Sequence, residues 1–216
     1  MSKDKNIADL RQSYEKGSLD VSTTSSNPRH QFDQWFDDVL QSGITEANAM
    51  TLATCGQDGQ PSSRIVLLKG IIDEGYIFYT NYDSLKGQQL AENNKASLLF
   101  FWKELERQVR IEGVVHKVTP EQSTEYFKSR PKGSQIGAWS SPQSHIITRD
   151  ALDKRVSAIE AKFAHLDALP LPPFWGGYIL KPHFFEFWQG RKNRLHDRIT
   201  YRLNQDNAWN IQRIAP

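Results

Sequence analysis

The segment from Arg191 to Arg198 reads RKNRLHDR and follows the aromatic run FFEFWQG. If the chain is extended there, Arg194, His196 and Arg198 project to one face, while Leu195 and Asp197 project to the other. Such a face repels itself unless something anionic or electron-rich lies against it. An edge strand that uses charge to deter aggregation has the same pattern, but the neighbouring Trp188 favours a site for a flat ligand.

Tyr126 and Arg130 are four residues apart, hence on one face of a helix, and Ser134 follows just beyond its expected end. A phenol, a guanidinium and a hydroxyl suit a phosphate monoester, because arginine grips two oxygens at once and the hydroxyls take the remaining lone pairs. An exposed helix end with a C-terminal arginine would carry the same residues. In the strand SSRIVLLK, Arg64 and Lys69 flank four apolar residues. In a regular strand they point to opposite faces, so either a bulge intervenes or the two cations serve different anions. Lys86 stands near the start of the next helix, where the helix N-terminus also favours a phosphate; a plain surface lysine is the alternative.

The elements that must position these groups are mostly strands. Asn27 and Pro28 form an N-cap and first-turn proline for a helix carrying Phe32, Trp35, Phe36, Val39 and Leu40. AMTLATC and SSRIVLLKG, joined through Gln57-Asp58-Gly59-Gln60, predict a hairpin, and YIFYT, KASLLFFW and RQVRIEGVVHKV predict three further strands. A short helix is expected from about Ser84 to Asn93. Thr119-Pro120-Glu121-Gln122 is a helix start, and a further helix over about Thr148 to Phe163 carries Leu152, Val156, Ile159 and Phe163 on one face. After LPLPP, the segments FWGGYIL, FFEFWQG, HDRITYRL and AWNIQRI predict more strands. The fold class expected is mainly β with peripheral helices (α+β), an antiparallel barrel. Residues 1–29, polar and poor in apolar groups around STTSSNP, are expected to be a mobile arm, and 30–216 a single domain.

The chain has 216 residues, 38% hydrophobic and 24% charged, with a net charge of +2. That charge is too mild to argue for a nucleic-acid or membrane partner. The single cysteine, Cys55, excludes an intramolecular disulfide framework and a multi-thiolate metal site, and points to a cytoplasmic address. At the end of an apolar strand it reads as a small buried hydrophobe. The start lacks the apolar stretch of a secretory signal, and no run approaches a membrane span. GxGxxG, Walker, HExxH and GxSxG patterns are absent, and no metal site is expected.

Taken together, RIVLLK, YFKSRPKGSQIGAW with the nearby SPQS, FWGG, and EFWQGRKNRLHDR resemble the pyridoxamine-phosphate oxidase family, from about Leu10 to the terminal RIAP. The resemblance implies an FMN-binding split β-barrel, a homodimer with FMN at its interface, and molecular oxygen as acceptor. It implies that Arg64 and Lys86 bind the FMN phosphate, and that Ile65, Val66, Leu67, Leu68, Tyr79 and Thr80 line the flavin beside Lys69. It also places Gln108, Gln143, Ser144, Trp188 and Arg198 on FMN, some of them from the second subunit. Lys69, Tyr126, Arg130 and Ser134 would hold the substrate phosphate, and Arg194 and His196 would sit over the pyridine ring and reacting carbon as the catalytic pair. Arg11 and Tyr14 match a segment of the family that folds over bound substrate, which makes part of the N-terminal arm an active-site lid. Where the family often has a second basic residue before the flavin-phosphate lysine, this chain has Leu85. A lost charge-assisted hydrogen bond is worth on the order of 1.5–3 kcal/mol, which leaves retention by Arg64 and Lys86 feasible.

The activity so implied belongs to vitamin B6 metabolism: oxidation of pyridoxamine phosphate or pyridoxine phosphate to pyridoxal 5'-phosphate, with hydrogen peroxide and, from the amine, ammonia released. Two other readings remain at this point. One is a split-barrel flavin reductase with another substrate; the other is a non-catalytic protein that binds FMN or pyridoxal phosphate. A nucleic-acid-binding β-barrel is disfavoured by the mild charge.

Overall fold

The computed structural model describes residues 13–216. It is mostly antiparallel sheet with five α-helices among the described residues, the fold class the sequence predicts. Contacts divide the chain into two compact units, where the sequence pattern reads as one domain over 30–216. The first comprises Met1–Ala47, Leu99–Ile111 and Phe184–Pro216, and the second Asn48–Leu98 and Glu112–His183. Strands β5 (Lys95–Trp102), β6 (Arg107–Lys117) and β7 (Trp175–Gln189) each contribute residues to both.

In the second unit, β1 (Ala49–Cys55) and β2 (Pro61–Leu67) form the expected hairpin, with Gly59 at φ +75° in its turn. Strands β3 (Gly70–Ile72) and β4 (Gly75–Asn81) follow, and the order across the unit is β2-β1-β5-β6-β7-β4-β3. The chain does not continue as one strand from Arg64 to Lys69. The ladder to β1 ends at Leu67, the Leu68 N–H donates to Asn48 O, and the Lys69 N–H donates to Ile77 O. Changing neighbour there breaks the pleat, so the two-residue alternation no longer relates the two cations.

Helix α2 (Leu85–Glu92) is capped by the Ser84 side chain, which accepts from the Gly87 N–H. A Cβ on Gly87 would lie 2.1 Å from Tyr82 O, so only glycine lets the helix approach so closely. Helix α3 (Pro120–Ser129) opens on a full capping box between Thr119 and Gln122. Two expectations shift here: Arg130 is the C-cap of α3, in extended conformation, and Ser134 sits inside another helix, α4 (Lys132–Ser140). Pro131 between them cannot continue α3 and starts α4. Helix α5 (Arg149–Lys162) has no buried residue of its own; Phe163, just past it, joins Phe127, Leu169 and Trp175 in a core cluster.

In the first unit, α1 (Pro28–Gln41) is capped by Asn27, whose side chain accepts from the Arg29 N–H, and it buries Phe32, Trp35 and Val39. Leu40, expected on that face, is 56% exposed, because the stripe through Val39 leaves the next residue about 100° further round. Strands β8 (Asp197–Leu203) and β9 (Trp209–Arg213) complete the unit. FWGGYIL and FFEFWQG are not separate strands but the two ends of β7. Its ladder to β4 ends at Leu180 and its ladder to β8 begins at Phe184, so Pro182 falls where neither is formed.

The polar segment read as a mobile arm is tied down over its described residues. Leu19 is buried and donates its N–H to Asp197, Gln31 accepts from the Ser25 N–H, and the Tyr201 hydroxyl donates to Ser25 O. Distant hydrogen-bond partners hold it, together with the burial of Leu19.

Candidate functional site

The second unit contains a cavity of about 660 Å³. Lys69, Tyr126, Arg130 and Ser134 all line it, so the four residues proposed to clasp one ester group do face one space. Lys69 reaches it from the turn between β2 and β3, Tyr126 from α3, Arg130 from the α3 cap and Ser134 from α4. The Arg130 guanidinium lies over the Trp175 ring, 4.7 Å from its centre, and its Nη1 is buried with no hydrogen-bond partner. Burial lowers the pKa of Arg130, and the nearby Tyr126 partly opposes this. A guanidinium remains charged under such a shift. A buried charged donor without an acceptor costs on the order of 1–3 kcal/mol or more, a cost that an anionic ligand would relieve.

Tyr126, Tyr79 and Trp175 lie nearly parallel. Tyr126 and Tyr79 are 3.9 Å apart at 17°, and Tyr79 and Trp175 are 5.5 Å apart at 10°. Burial raises the pKa of Tyr79, with smaller contributions from Tyr126, Glu125 and Tyr82. The lining also includes the apolar strand residues Ile65, Val66 and Leu67, and Ile65 is 66% exposed.

Lys86 also lines the cavity, and its Nζ lies 3.4 Å from Gln143 Oε1, to which the Thr80 hydroxyl also donates at 3.2 Å. Burial lowers the pKa of Lys86, and the charge of Arg64 lowers it further. Arg64 itself is not among the lining residues: its guanidinium donates to Thr54 Oγ1, Ser62 Oγ and Leu52 O, with Gln89 Oε1 at 3.5 Å. Leu68 is buried away from the cavity lining, and Ser144 is exposed at φ +73°.

The remaining sequence-derived residues belong to the first unit. Trp188 and Arg198 face each other in the β7–β8 ladder. Arg198 Nε donates to the buried carboxylate of Glu186 at 2.7 Å, and Arg110 does so at 2.6 Å from the other side. Both arginines hold the Glu186 pKa down, although burial alone would raise it. The extended geometry expected over RKNRLHDR is not present. Lys192–Arg194 is a 3-10 turn with Asn193 at φ +57° and Arg194 at +62°, and β8 starts only at Asp197. Simple alternation therefore does not align Arg194, His196 and Arg198.

His196 lies 4.6 Å from the Trp188 ring, and Tyr14 is 5.7 Å from Trp188 and 5.9 Å from His196. His196 Nδ1 accepts the Arg191 N–H at 3.1 Å, leaving Nε2 to carry the proton of the neutral ring. Burial lowers the His196 pKa and Arg194 lowers it further, against Asp197, which raises it. Gln108 is half-buried on β6. Arg11 lies outside the described residues.

Reading the sequence for chemistry missed Trp175, Asn81, Pro131, Gly137, Ala138 and Ser141, all of which line the cavity. Trp175 stands in the FWGG motif, but its role as the platform under Arg130 depends on two segments that only folding brings together.

Residues 36–166 match the sequence profile described as pyridoxamine 5'-phosphate oxidase. The chain belongs to that family. Residues 175–216 match the pyridoxine 5'-phosphate oxidase C-terminal dimerisation region, which supports a homodimer. The pyridoxine/pyridoxamine 5'-phosphate oxidase of Bordetella pertussis is 53% identical over 210 residues, covering 97% of this chain and 99% of the relative. The crystal structure of PhzG from Burkholderia lata 383, in complex with tetrahydrophenazine-1-carboxylic acid, superposes with a TM-score of 0.84 at 32% identity, covering 93% of this chain and all of that one. A pyridoxamine 5'-phosphate oxidase-related, FMN-binding protein of Nostoc punctiforme shares the fold, with a TM-score of 0.68 at 16% identity over 86% of this chain and 97% of that one. Membership of this oxidase family supports an oxidoreductase built on the split-barrel fold. No helix among the described residues is long and apolar enough to cross a membrane, and no cluster of metal-ligating side chains is found among them.

Proposed function

We propose that this chain is an FMN-dependent oxidase that converts pyridoxamine phosphate or pyridoxine phosphate to pyridoxal 5'-phosphate, with molecular oxygen as acceptor. The observation that carries the reading is the buried, unpartnered Nη1 of Arg130 in a cavity also lined by Lys69, Tyr126 and Ser134. Two cations and two hydroxyls around one space match the oxygens of a phosphate monoester.

The residues present also fit FMN. Ile65, Val66 and Leu67 offer an apolar wall for a flat ring system, Thr80 and Gln143 offer polar contacts at its edge, and Lys86 supplies a buried cation for the flavin phosphate. The volume falls in the range of roughly 300–1,000 Å³ usual for small-molecule sites. In this reading Arg64, from behind the lining, adds its positive charge to that of Lys86 for the flavin phosphate, Leu68 contributes backbone, and Gln108, Ser144, Trp188 and Arg198 act on FMN held at the homodimer interface.

FMN, when bound, would accept a hydride from the substrate's exocyclic carbon and pass the electron pair to oxygen as hydrogen peroxide, leaving the aldehyde from the alcohol or, from the amine, an imine that water hydrolyses to the aldehyde and ammonia. The chain supplies position and charge. Arg130, Lys69, Tyr126 and Ser134 anchor the phosphate, and this remote binding energy orients the reacting carbon. Arg194 orients the pyridine ring and opposes developing charge. His196, neutral near pH 7, holds a proton on Nε2 for orientation or transfer. Tyr14 covers the bound substrate.

The test is to purify the protein, record its flavin spectrum, and measure pyridoxal 5'-phosphate and peroxide formed from each substrate under air. A colourless protein that takes up no FMN, or a yellow one that forms no aldehyde, would exclude the proposal. The similarity to PhzG favours a second reading, oxidation of a tricyclic carboxylic acid such as tetrahydrophenazine-1-carboxylic acid. Turnover of that acid in preference to both phosphate esters would establish it instead.

A further inference from the structure

In the turn between β5 and β6, Glu106 is 7% exposed and adopts a left-handed conformation, φ +54°. Among the described residues its carboxylate makes no salt bridge; Oε2 accepts the backbone N–H of Glu15 at 2.7 Å and of Lys16 at 2.9 Å. One buried oxygen therefore holds two consecutive amides of the N-terminal segment. The carbonyl of Glu106 accepts the Gly190 N–H at 2.8 Å and Gln189 Nε2 at 3.2 Å, so the same residue also holds the chain leading into the Arg191–His196 loop. A Cβ on Gly190 would lie 2.7 Å from Tyr14 Cβ, which shows how closely the segment crosses this point.

Beyond the clasp, Tyr14 packs edge-on against Trp188 and beside His196. Tyr14, Glu15 and Gly17 share a second cavity, of about 440 Å³, with Arg191, Lys192, Asn193 and Leu195. The Gly17 carbonyl accepts from Arg191, and Lys192 pairs with Glu15. Every one of these contacts depends on the register of residues 14–17, and Glu106 is the buried group that sets that register from the backbone rather than from a side chain.

We infer that Glu106 is a positioning residue of the oxidase site: its carboxylate pins the Glu15 and Lys16 amides and so fixes Tyr14 against Trp188 and His196 in the substrate-binding geometry. The inference rests on the proposed function for its kinetic part only. Because one oxygen takes both bonds, Gln retains an acceptor and weakens the clasp, whereas Ala removes it.

The experiment compares Glu106→Gln, Glu106→Ala and Tyr14→Ala with wild type in the FMN-loaded protein. Hydrogen exchange over residues 14–17 and steady-state kinetics with both phosphate esters are the two readouts. Expected is loss of exchange protection at residues 15 and 16 in Glu106→Ala, with KM raised about tenfold and kcat changed much less, and intermediate values in Glu106→Gln. In the Tyr14→Ala background, Glu106→Ala should raise KM no further, since the effect runs through Tyr14. Unchanged protection in Glu106→Ala, additive KM effects in the double variant, or lost protection with wild-type KM would each overturn the assignment. If Glu106→Ala does not fold, Glu106→Gln with wild-type exchange and wild-type KM does so as well. Wild-type protein that oxidises neither ester overturns the proposed function instead, and the exchange comparison still decides the clasp.

Discussion

Arg130 rests on Trp175 with its guanidinium carbon 4.7 Å from the ring centre, and its Nη1 is buried without a hydrogen-bond acceptor. The ring holds the cation through its quadrupole and leaves Nη1 without an acceptor. The arginine is thereby held in place before any anion arrives, at the cost of one unsatisfied donor. An anionic ligand would relieve that cost on binding, which makes Arg130 the residue to test first.

Arg130→Ala should raise KM for either phosphate ester by about 10–150-fold, the equivalent of ~1.5–3 kcal/mol for a charge-assisted contact, while FMN content stays near wild type. Steady-state kinetics alongside the flavin absorbance ratio checks both halves. Flavin loss with unchanged KM would move Arg130 to the cofactor.

Burial, and after it the charge of Arg64, bring the Lys86 pKa below the ordinary 10.5. The attraction proposed for the FMN phosphate would therefore be lost as pH rises through the lowered value. FMN titrations across the alkaline range should show weakening below pH 10.5 in wild type, and a flatter profile in Lys86→Arg, whose charge persists.

Gln89 Oε1 accepts from the Thr54 hydroxyl and the Ser62 hydroxyl, each at 2.7 Å, and lies 3.5 Å from Arg64 Nη2. Gln89→Met keeps the bulk and removes the acceptor, so it should cost about 1–3 kcal/mol in denaturant unfolding. It should also weaken FMN binding by loosening Arg64. Calorimetric titration of the apoprotein measures the second effect independently of the first.

His196 has its pKa lowered from 6.5, chiefly by burial and then by Arg194. A group held neutral in this way favours the native site above its ordinary pKa, and the advantage is lost as pH falls through the lowered value. An acid limb in kcat/KM belonging to His196 should therefore lie below pH 6.5 and vanish in His196→Asn. Arg194→Ala, by contrast, should depress kcat by more than tenfold with FMN content unchanged.

Gly87 has no room for a side chain, its Cβ position being 2.1 Å from Tyr82 O. Gly87→Ala should displace α2 and destabilise the protein by about 1–3 kcal/mol despite the better helix propensity of alanine. Thermal unfolding checks the sign.

Much of this architecture is local and so legible in one dimension. Asn27-Pro28, Ser84 and Thr119 through Gln122 mark helix starts because a cap needs only residues a few positions apart. Gly59 marks the hairpin, and residue type alone nominates Tyr126 and Arg130 as an anion-binding pair. Legibility fails where partners are distant. Residues 13–27 look unstructured until Glu106, Asp197 and Tyr201 supply their hydrogen bonds. Arg194 leaves the expected face because two successive left-handed residues interrupt the strand.

The amino-acid order by itself determined which groups carry charge, where helices and turns begin, and the set of cations and hydroxyls suited to a phosphate ester. Only the tertiary structure decided that Lys69 faces the cavity while Arg64 stands behind its lining, that Trp175 supports Arg130, and that a carboxylate at position 106 holds amides at 15 and 16. The physical reason is that strand exchange and long-range hydrogen bonds satisfy backbone groups with partners remote in sequence. Side-chain periodicity carries no record of those partners.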